Sequence, residues 1–372
     1  MTRGDLASQN RLGELAQQFG LAIGKRGALR SALGHSDEAT GKWTPRIPNP
    51  DDYDRAREPH ERGAILVAAV FDAFLTTYKS RIADLLRIAS EGTGVLPEGQ
   101  LSPDLVNRLA EEASRAAAQI LEMCIRALDY CPPVDLTFGD YLRAIITADF
   151  EFDPIQGEHP RIAVAEAFRR FGIVPEGVRT LSVDGLLWRP TSAAPDENED
   201  VLLSIFSKWG TMIDLWSLSN DRRQVFEQTA RQRAALQKYL GNKFSKEGAT
   251  LSGVDPTLPF EVHSIRPCVR MDWEGRPSFQ WIVEITQHVP QHFDSADAER
   301  SDVKPDYFAR GGCTLVVDAT TGKIRYTIRK TLDRTRMDRQ KRFVLEHTSE
   351  SLAATYFGAG EESEPFAMLH RH

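Results

Sequence analysis

The sequence predicts an α+β protein of two domains, an N-terminal all-α helical bundle followed by a small domain with an antiparallel sheet. Apolar residues recur at helical spacing through the first part of the chain, and no strand pattern occurs before about residue 178. After one further amphipathic helix the spacing changes to the period of two that is typical of strands. The predicted boundaries are 1–176 for the bundle, 177–218 for a connecting segment, 219–357 for the α+β domain and 358–372 for a flexible tail.

Four long helices account for most of the predicted bundle. The first, over 60–88, is apolar nearly all round in its opening turns, which is typical of a buried central helix. The second begins near Ser102, with serine as N-cap and proline in the first helical position, and it ends before Pro132. The third begins at Thr137, and the fourth covers Pro160–Phe171 with Gly172 as its C-cap.

Two segments precede these helices, and they differ in character. Residues 5–33 carry apolar side chains at helical spacing and predict one or two helices that glycines interrupt. Residues 34–58 are rich in proline, glycine and charge, and they predict a loop. A loop of this length inside a compact domain is uncommon and often functional.

The second domain is predicted as one helix followed by strands that pair in antiparallel fashion. A hairpin is indicated where Asp318–Gly322 separates two apolar runs, with glycine at the left-handed position. The predicted elements are a helix over Asn220–Leu240 and strands over Phe260–Met271, Ser278–Val289, Cys313–Val317 and Lys323–Ile328.

The composition of the chain argues against several classes of function. The net charge of −7 argues against general nucleic-acid binding, and we interpret the interrupted basic run Arg334–Arg342 as a solvated helical face or linker. The longest apolar stretch, Ala64–Leu75, carries Asp72 and is too short to span a bilayer, so no membrane partner is expected. Four cysteines without C-x-x-C spacing predict free thiols, and with no signal-peptide pattern they indicate a cytoplasmic location.

A set of motifs lies in a fixed order along the bundle. Ala28–Ser31 reads Ala-Leu-Arg-Ser, and His60 opens a buried helix after the proline-rich loop. Leu136–Asp149 ends in Ala-Asp, and Ala163–Ile173 carries an Ala-Phe pair followed by Gly-Ile. This order resembles the C-terminal helical lobe of thermolysin-like (gluzincin) zinc metallopeptidases, and it covers residues 28–174.

The resemblance implies roles for three residues. His60 would donate a hydrogen bond to the oxyanion of the tetrahedral intermediate, and Arg30 would hold a carbonyl group of a peptide or protein substrate. Asp54, or alternatively Asp52, would orient His60. A donor aimed at developing negative charge is typically worth about 10²–10³ in rate.

The metal-binding half of such a peptidase is missing from the sequence. The family binds zinc through H-E-x-x-H and a further glutamate, and none of the nine histidines here fits that pattern. His288 and His292 are four residues apart, but Pro290 between them excludes a helical ligand pair. We therefore predict no metal or other cofactor in this chain, and zinc only where a missing N-terminal half is present.

Three interpretations follow from half a site. The chain is a fragment whose catalytic half lies on another polypeptide, a pseudoenzyme with a binding groove, or a bundle that shares only structure with the family, with His60 as an ordinary helix-start histidine and Arg30 as a surface cation. In each case we expect no peptide hydrolysis by this chain alone. The competing class is a non-catalytic peptide- or protein-binding module.

The C-terminal hairpin has a weaker resemblance of its own. Val317–Ile324 reads Val-Asp-Ala-Thr-Thr-Gly-Lys-Ile, which resembles the closing strands of the PepSY-type domains that accompany such peptidases. The resemblance implies a role in inhibition or docking without chemistry. The alternative is a generic hairpin built from turn-favouring residues.

Overall fold

The computed structural model describes the chain in ten segments, namely 34–36, 43–56, 59–93, 102–154, 158–191, 205–206, 221–247, 251–271, 274–294 and 304–346. Within these segments helices accompany a four-stranded antiparallel sheet, so the α+β class is as predicted. The chain divides into two compact units. The helical unit comprises Met1–Leu128 and Thr137–Leu187, and the sheet unit comprises Asp129–Leu136 and Trp188–His372.

The helical unit contains two short strands and six helices within the described residues. They are β1 (Gly34–Ser36), β2 (Trp43–Pro45), α1 (Asp51–Arg55), α2 (Pro59–Ala89), α3 (Pro103–Ala127), α4 (Phe138–Phe152), α5 (Glu158–Arg170) and α6 (Val183–Leu186). A 3-10 turn over Leu128–Tyr130 follows α3, and its last two residues belong to the sheet unit. The predicted helices 60–88, Ser102 onward, Thr137 onward and Pro160–Phe171 are thus present with nearly the expected bounds. The helices predicted over 5–33 lie outside the described residues.

The expectation that no strand precedes residue 178 is wrong, as is the assignment of 34–58 to a loop. The strands β1 and β2 pair antiparallel, with His35 opposite Thr44, and α1 follows them. Each strand has only three residues and includes glycine or proline, so the sequence lacks the apolar alternation that signals a strand. The bundle is therefore helical but not purely all-α.

Local capping explains where the helices begin and end. Ser102 Oγ accepts the Leu105 N–H at 3.2 Å at the start of α3. Thr137 and Asp140 form a reciprocal capping box at the start of α4. Gly172 ends α5 with φ +76°, and a Cβ there would lie 1.9 Å from the Pro50 carbonyl oxygen. Only glycine fits this position, as the predicted C-cap requires.

Helix α2 packs against α3 and α5 and buries the face that contains Ile65, Ala69 and Ala73. By length and composition alone, Glu61–Ala89 could cross a membrane, a test that the core helix of a soluble protein also passes. The helix carries Asp72, whose Oδ2 lies 2.6 Å from an Arg170 guanidinium nitrogen of α5. An ion pair between neighbouring helices suits a helix that packs in a protein core.

The two units exchange segments along the chain. Arg143 of α4 donates hydrogen bonds to the carbonyls of Leu186 and Leu187 at 3.1 and 2.9 Å, and this holds residues past 176 in the helical unit. The segment Asp129–Leu136 belongs to the sheet unit instead, where Thr314 Oγ1 donates to the Cys131 carbonyl at 2.7 Å. Sequence spacing gives no sign of either exchange.

The sheet unit consists of one long helix, four strands and a closing helix in its described part. They are α7 (Arg222–Glu247), β3 (Phe260–Met271), β4 (Pro277–Gln291), β5 (Tyr307–Asp318), β6 (Ile324–Lys330) and α8 (Arg334–Glu346). The strands pair in chain order, and the predicted turn is present, with Gly322 at φ +74°. Apolar side chains of α7 pack on one sheet face to form the core, which includes Leu236, Leu240, Phe244, Val262, Trp281, Val283 and Leu315.

Two glutamines satisfy backbone groups at the edges of the sheet. Gln237 of α7 donates to the Phe260 carbonyl at 2.8 Å and accepts the Val262 N–H at 2.7 Å. Gln340 of α8 does the same for the N–H and C=O of Arg310, both at 2.9 Å, beyond the point where β6 ends. Each side-chain amide replaces a missing strand, which lowers the cost of an open sheet edge.

Replacing Gln340 by leucine should lower the free energy of unfolding by about 1–3 kcal/mol, because the Arg310 N–H and C=O lose their buried partner. Urea denaturation of the full chain measures the change. The matched control is Arg342→Leu on the same helix, at an exposed position, which should change stability by less than about 0.5 kcal/mol. Equal stabilities of the two variants would contradict the role given to Gln340.

Candidate ligand-binding site

The three residues of the predicted catalytic site are only partly described. Arg30 lies outside the described residues, and so does the side chain of His60, although its backbone forms the first turn of α2. Asp54 is an exposed residue of α1. The roles given to these three residues stay predictions.

The junction between α1 and α2 is held by a residue that the sequence did not single out. Arg62 donates from Nε to the Ala56 carbonyl at 3.0 Å, and its guanidinium lies 5.6 Å from the Tyr53 ring centroid. Burial raises the pKa of the Tyr53 hydroxyl, with Arg62 opposing that shift. These contacts fix how the chain enters the helix that bears His60.

A search of the described segments finds no group of three or more His, Cys, Asp or Glu side chains that could hold a metal ion. The pair His288 and His292 lies on and just after β4, and His292 Nδ1 is 3.9 Å from Asp306 Oδ2. An extended strand separates residues four apart by roughly 13 Å, whereas one helical turn brings such residues together, so the two histidines form no helical ligand pair.

The helical unit contains a cavity of about 400 Å³ between α2, α3, α4 and α5. Ligand pockets in proteins are typically about 300–1,000 Å³, and bundle cores are common places for them. The apolar part of the wall includes Met123, Phe152 and Ala163. Polar groups come from all four helices, so the cavity is a mixed surface rather than a packing defect in an apolar core.

Arg161 holds two of these helices together behind the cavity wall. The residue is 2% exposed, and its Nε donates to Asp149 Oδ2 at 2.7 Å. Its Nη2 also donates to the backbone carbonyls of Asp149 and Asp153, at the C-terminal end of α4. One side chain of α5 thus satisfies a buried carboxylate and two carbonyls of α4.

Asp149 lines the cavity but is fixed by this pairing. Burial raises the pKa of the Asp149 carboxyl above its ordinary value, and the charge of Arg161 opposes that shift. We favour the charged pair, because the contact at 2.7 Å is short and the guanidinium cannot lose its proton. The carboxylate therefore acts as a structural anion rather than as a free base.

Arg126 is the cation of the lining that makes the fewest polar contacts. Its guanidinium carbon lies 3.6 Å from the Phe152 ring centroid, and the nearest carboxylate, that of Glu122, is 4.0 Å away. Its side chain is 20% exposed. Within the described part of the chain no hydrogen bond engages this guanidinium, so its N–H groups are available to a ligand.

Arg81 and Glu166 of the lining have closer partners. Arg81 donates to Gln119 Oε1 at 2.6 Å and lies 3.6 Å from a Glu112 carboxylate oxygen. Glu166 accepts two hydrogen bonds from Arg169, which lowers the pKa of the Glu166 carboxyl. Thr77 is 4% exposed, and its hydroxyl has no hydrogen-bond partner among the described residues.

A second charged cluster occurs in the sheet unit and has a structural explanation. Asp129 accepts hydrogen bonds from both Arg266 and Arg270 of β3, and Arg266 also pairs with Glu284 of β4 at 3.1 Å. Arg270 donates from Nε to Cys268 Sγ at 3.0 Å. The charges neutralise one another and attach the segment Asp129–Leu136 to the sheet.

Sequence reasoning missed the cavity and both charged clusters. Arg161 and Asp149 are 12 residues apart on different helices, and Arg266 and Asp129 are separated by 137 residues. A single sequence carries no signal for such pairs. The polar residues of α3 that reach the cavity look, by spacing, like an ordinary solvated face.

Comparisons with known proteins add no identification. No family model matches the chain, and no match was found among curated proteins or among solved structures.

Breaking the Arg161 contact should destabilise the helical unit strongly. Arg161→Met leaves the Asp149 carboxylate buried without its cation, and loss of one partner of a buried pair typically costs about 3–5 kcal/mol. Thermal and urea unfolding of the full chain measure the loss. Arg169→Met, on the same helix with an exposed pair, is the matched control and should leave the unfolding midpoint unchanged. Similar midpoints for both variants would contradict the importance of Arg161.

Proposed function

We propose that this protein is a non-catalytic binding module whose helical unit takes up a ligand in the cavity between α2, α3, α4 and α5. The observation that carries the proposal is the cavity itself, about 400 Å³ in volume, whose wall combines apolar side chains with polar and charged groups from all four helices. A cavity of this volume between the helices of a bundle is typical of sites for small molecules and short peptide segments.

Two carboxylates of the lining are engaged in ion pairs, which supports binding rather than chemistry. General acid–base catalysis needs a group that can exchange a proton with the substrate. Asp149 is fixed by Arg161, and Glu166 is paired with Arg169. The Arg161–Asp149 pair joins α5 to α4 and so holds two walls of the cavity in place, which is what a binding site requires.

A metallopeptidase half-site is the second candidate. One observation favours it: α2 begins at Pro59, so His60 lies in the first turn of a long helix, where the resemblance expects its oxyanion donor. In this candidate the partner is a missing catalytic half on another polypeptide, and the substrate is a peptide or protein. Neither candidate requires a nucleic acid.

The proposal includes a cytoplasmic location without insertion into a membrane. The four cysteines, two of them buried, are free thiols, which is the usual state in a reducing compartment. Helix α2 has protein neighbours in α3 and α5, and its Asp72 is paired with Arg170.

Filling the cavity should weaken ligand binding. Ser80 lines the cavity and is exposed, so Ser80→Trp adds bulk there with little cost to α2. We expect the affinity for the fluorescent probe anilinonaphthalene sulfonate to fall by roughly tenfold or more, which corresponds to about 1.4 kcal/mol. Fluorescence titration measures the change, and circular dichroism checks that the helices are intact.

The matched control for this experiment is Ser114→Trp. Ser114 is an exposed residue of α3 that does not line the cavity. Its substitution should leave the probe affinity unchanged. If both tryptophan variants bind the probe as tightly as the original chain, the cavity is not the binding site and the proposal fails.

The expectation that this chain alone has no metal and no peptidase activity is tested by the metal content and peptidase activity of the purified chain. We expect zinc well below one ion per chain and no cleavage of an unfolded protein substrate, because the sequence provides no H-E-x-x-H motif. Elemental analysis and a cleavage assay with and without a chelator are the measurements. Stoichiometric zinc together with chelator-sensitive cleavage would overturn both this expectation and the non-catalytic proposal.

A further inference from the structure

We infer that the ligand of this cavity carries a carboxylate joined to an apolar group, and that Arg126 receives the carboxylate. The inference rests on the proposed function and names the ligand class for the same site. Two sources share this chemistry: a medium-chain fatty acid, and the C-terminus of a peptide whose last residue is apolar.

Arg126 has a side chain suited to a carboxylate. A guanidinium presents its N–H donors in a planar fork that matches a carboxylate in a bidentate arrangement. Arg126 lies over the Phe152 ring at 3.6 Å, and this stacking covers one face of the plane. The in-plane N–H donors are left for a partner, since no hydrogen bond from the described residues engages them.

Nearby acidic side chains compete only weakly with a ligand carboxylate for Arg126. Glu122 is the only carboxylate among the described residues that pairs with Arg126, at the limiting distance of 4.0 Å. The Glu122 side chain is 61% exposed, and a solvated pair of this kind is worth little. The charge of Arg126 also acts on Asp149, but the hydrogen bond of that carboxylate goes to Arg161, so Asp149 does not take the place of a ligand.

The same cavity offers contacts to the apolar part of the ligand. Met123, Phe152, Ile162 and Ala163 provide apolar contacts from three helices of the same cavity. An apolar chain or side chain gains about 25 cal/mol for each Å² that it buries. A ligand with an apolar body and one anionic end therefore satisfies both parts of the wall.

Isothermal titration of the full chain at neutral pH tests the inference. The probes are octanoate with its neutral analogue octanamide, and an acetylated dipeptide acid ending in leucine with its C-terminal amide. We expect at least one acid to bind roughly tenfold or more tightly than its amide. The acid that binds more tightly identifies the source.

Arg126→Gln should remove the preference for the acid and leave the weak affinity for the neutral amide unchanged, which shows that the cavity is intact. Arg126→Lys keeps the charge without the fork and should give an intermediate preference. Arg108→Gln is the matched control, because Arg108 is an exposed cation of the same helix outside the cavity, and it should behave as the original chain.

The results of these experiments distinguish an error in the ligand class from an error in the proposed function. If acid and amide bind equally well in both pairs, or if Arg126→Gln retains the preference for the acid, the ligand class is wrong although the cavity binds. If none of the four probes binds, and the fluorescent probe is also unaffected by Ser80→Trp, the proposed function fails as well.

Discussion

The helical unit depends on the contacts made by the guanidinium of Arg161. This guanidinium comes from α5, and it satisfies the Asp149 carboxylate and two backbone carbonyls at the end of α4. Both charged side chains are more than nine-tenths buried. Desolvation of two charges is costly, and the acceptors of the Arg161 Nε and Nη2 donors offset that cost. These contacts fix the relative position of α4 and α5, and the cavity between the helices follows from that position.

The sheet unit meets its own polar constraints in a similar way. Side-chain amides of Gln237 and Gln340 supply the donors and acceptors that neighbouring strands would otherwise provide. Asp129 is shared between two arginines of β3 and attaches a segment from between α3 and α4 to the sheet. In both units, long-range polar contacts rather than apolar patterning decide the details of the architecture.

The sequence predicts much of the fold because its signals are local. Ser102 with proline after it, and Gly172 at a left-handed position, specify where helices begin and end. The alternation in β3 and β4 likewise depends only on neighbouring residues. The hairpin at 34–45 was missed because its strands are short and without apolar alternation, and the change of unit at Asp129 is invisible to spacing.

The site could not be predicted in the same manner. Arg126, Phe152 and Met123 meet in space from different helices, and each alone has an ordinary explanation as a surface or core residue. The resemblance to a peptidase lobe indicated His60, Arg30 and Asp54 as site residues. The described geometry instead indicates Arg126, whose guanidinium donates no hydrogen bond to the described residues and lies beside apolar side chains of the cavity. The hypothesis therefore changes from a peptidase site that lacks its metal to a site that binds a ligand.

The most direct test is a crystal structure of the full chain grown with the acid that binds more tightly, octanoate or the acetylated dipeptide acid. The account predicts the carboxylate oxygens about 2.7–2.9 Å from the Arg126 guanidinium nitrogens, with the apolar part of the ligand against Met123 and Phe152. That acid bound elsewhere, or a cavity that contains only ordered water beside an unengaged Arg126, would contradict it.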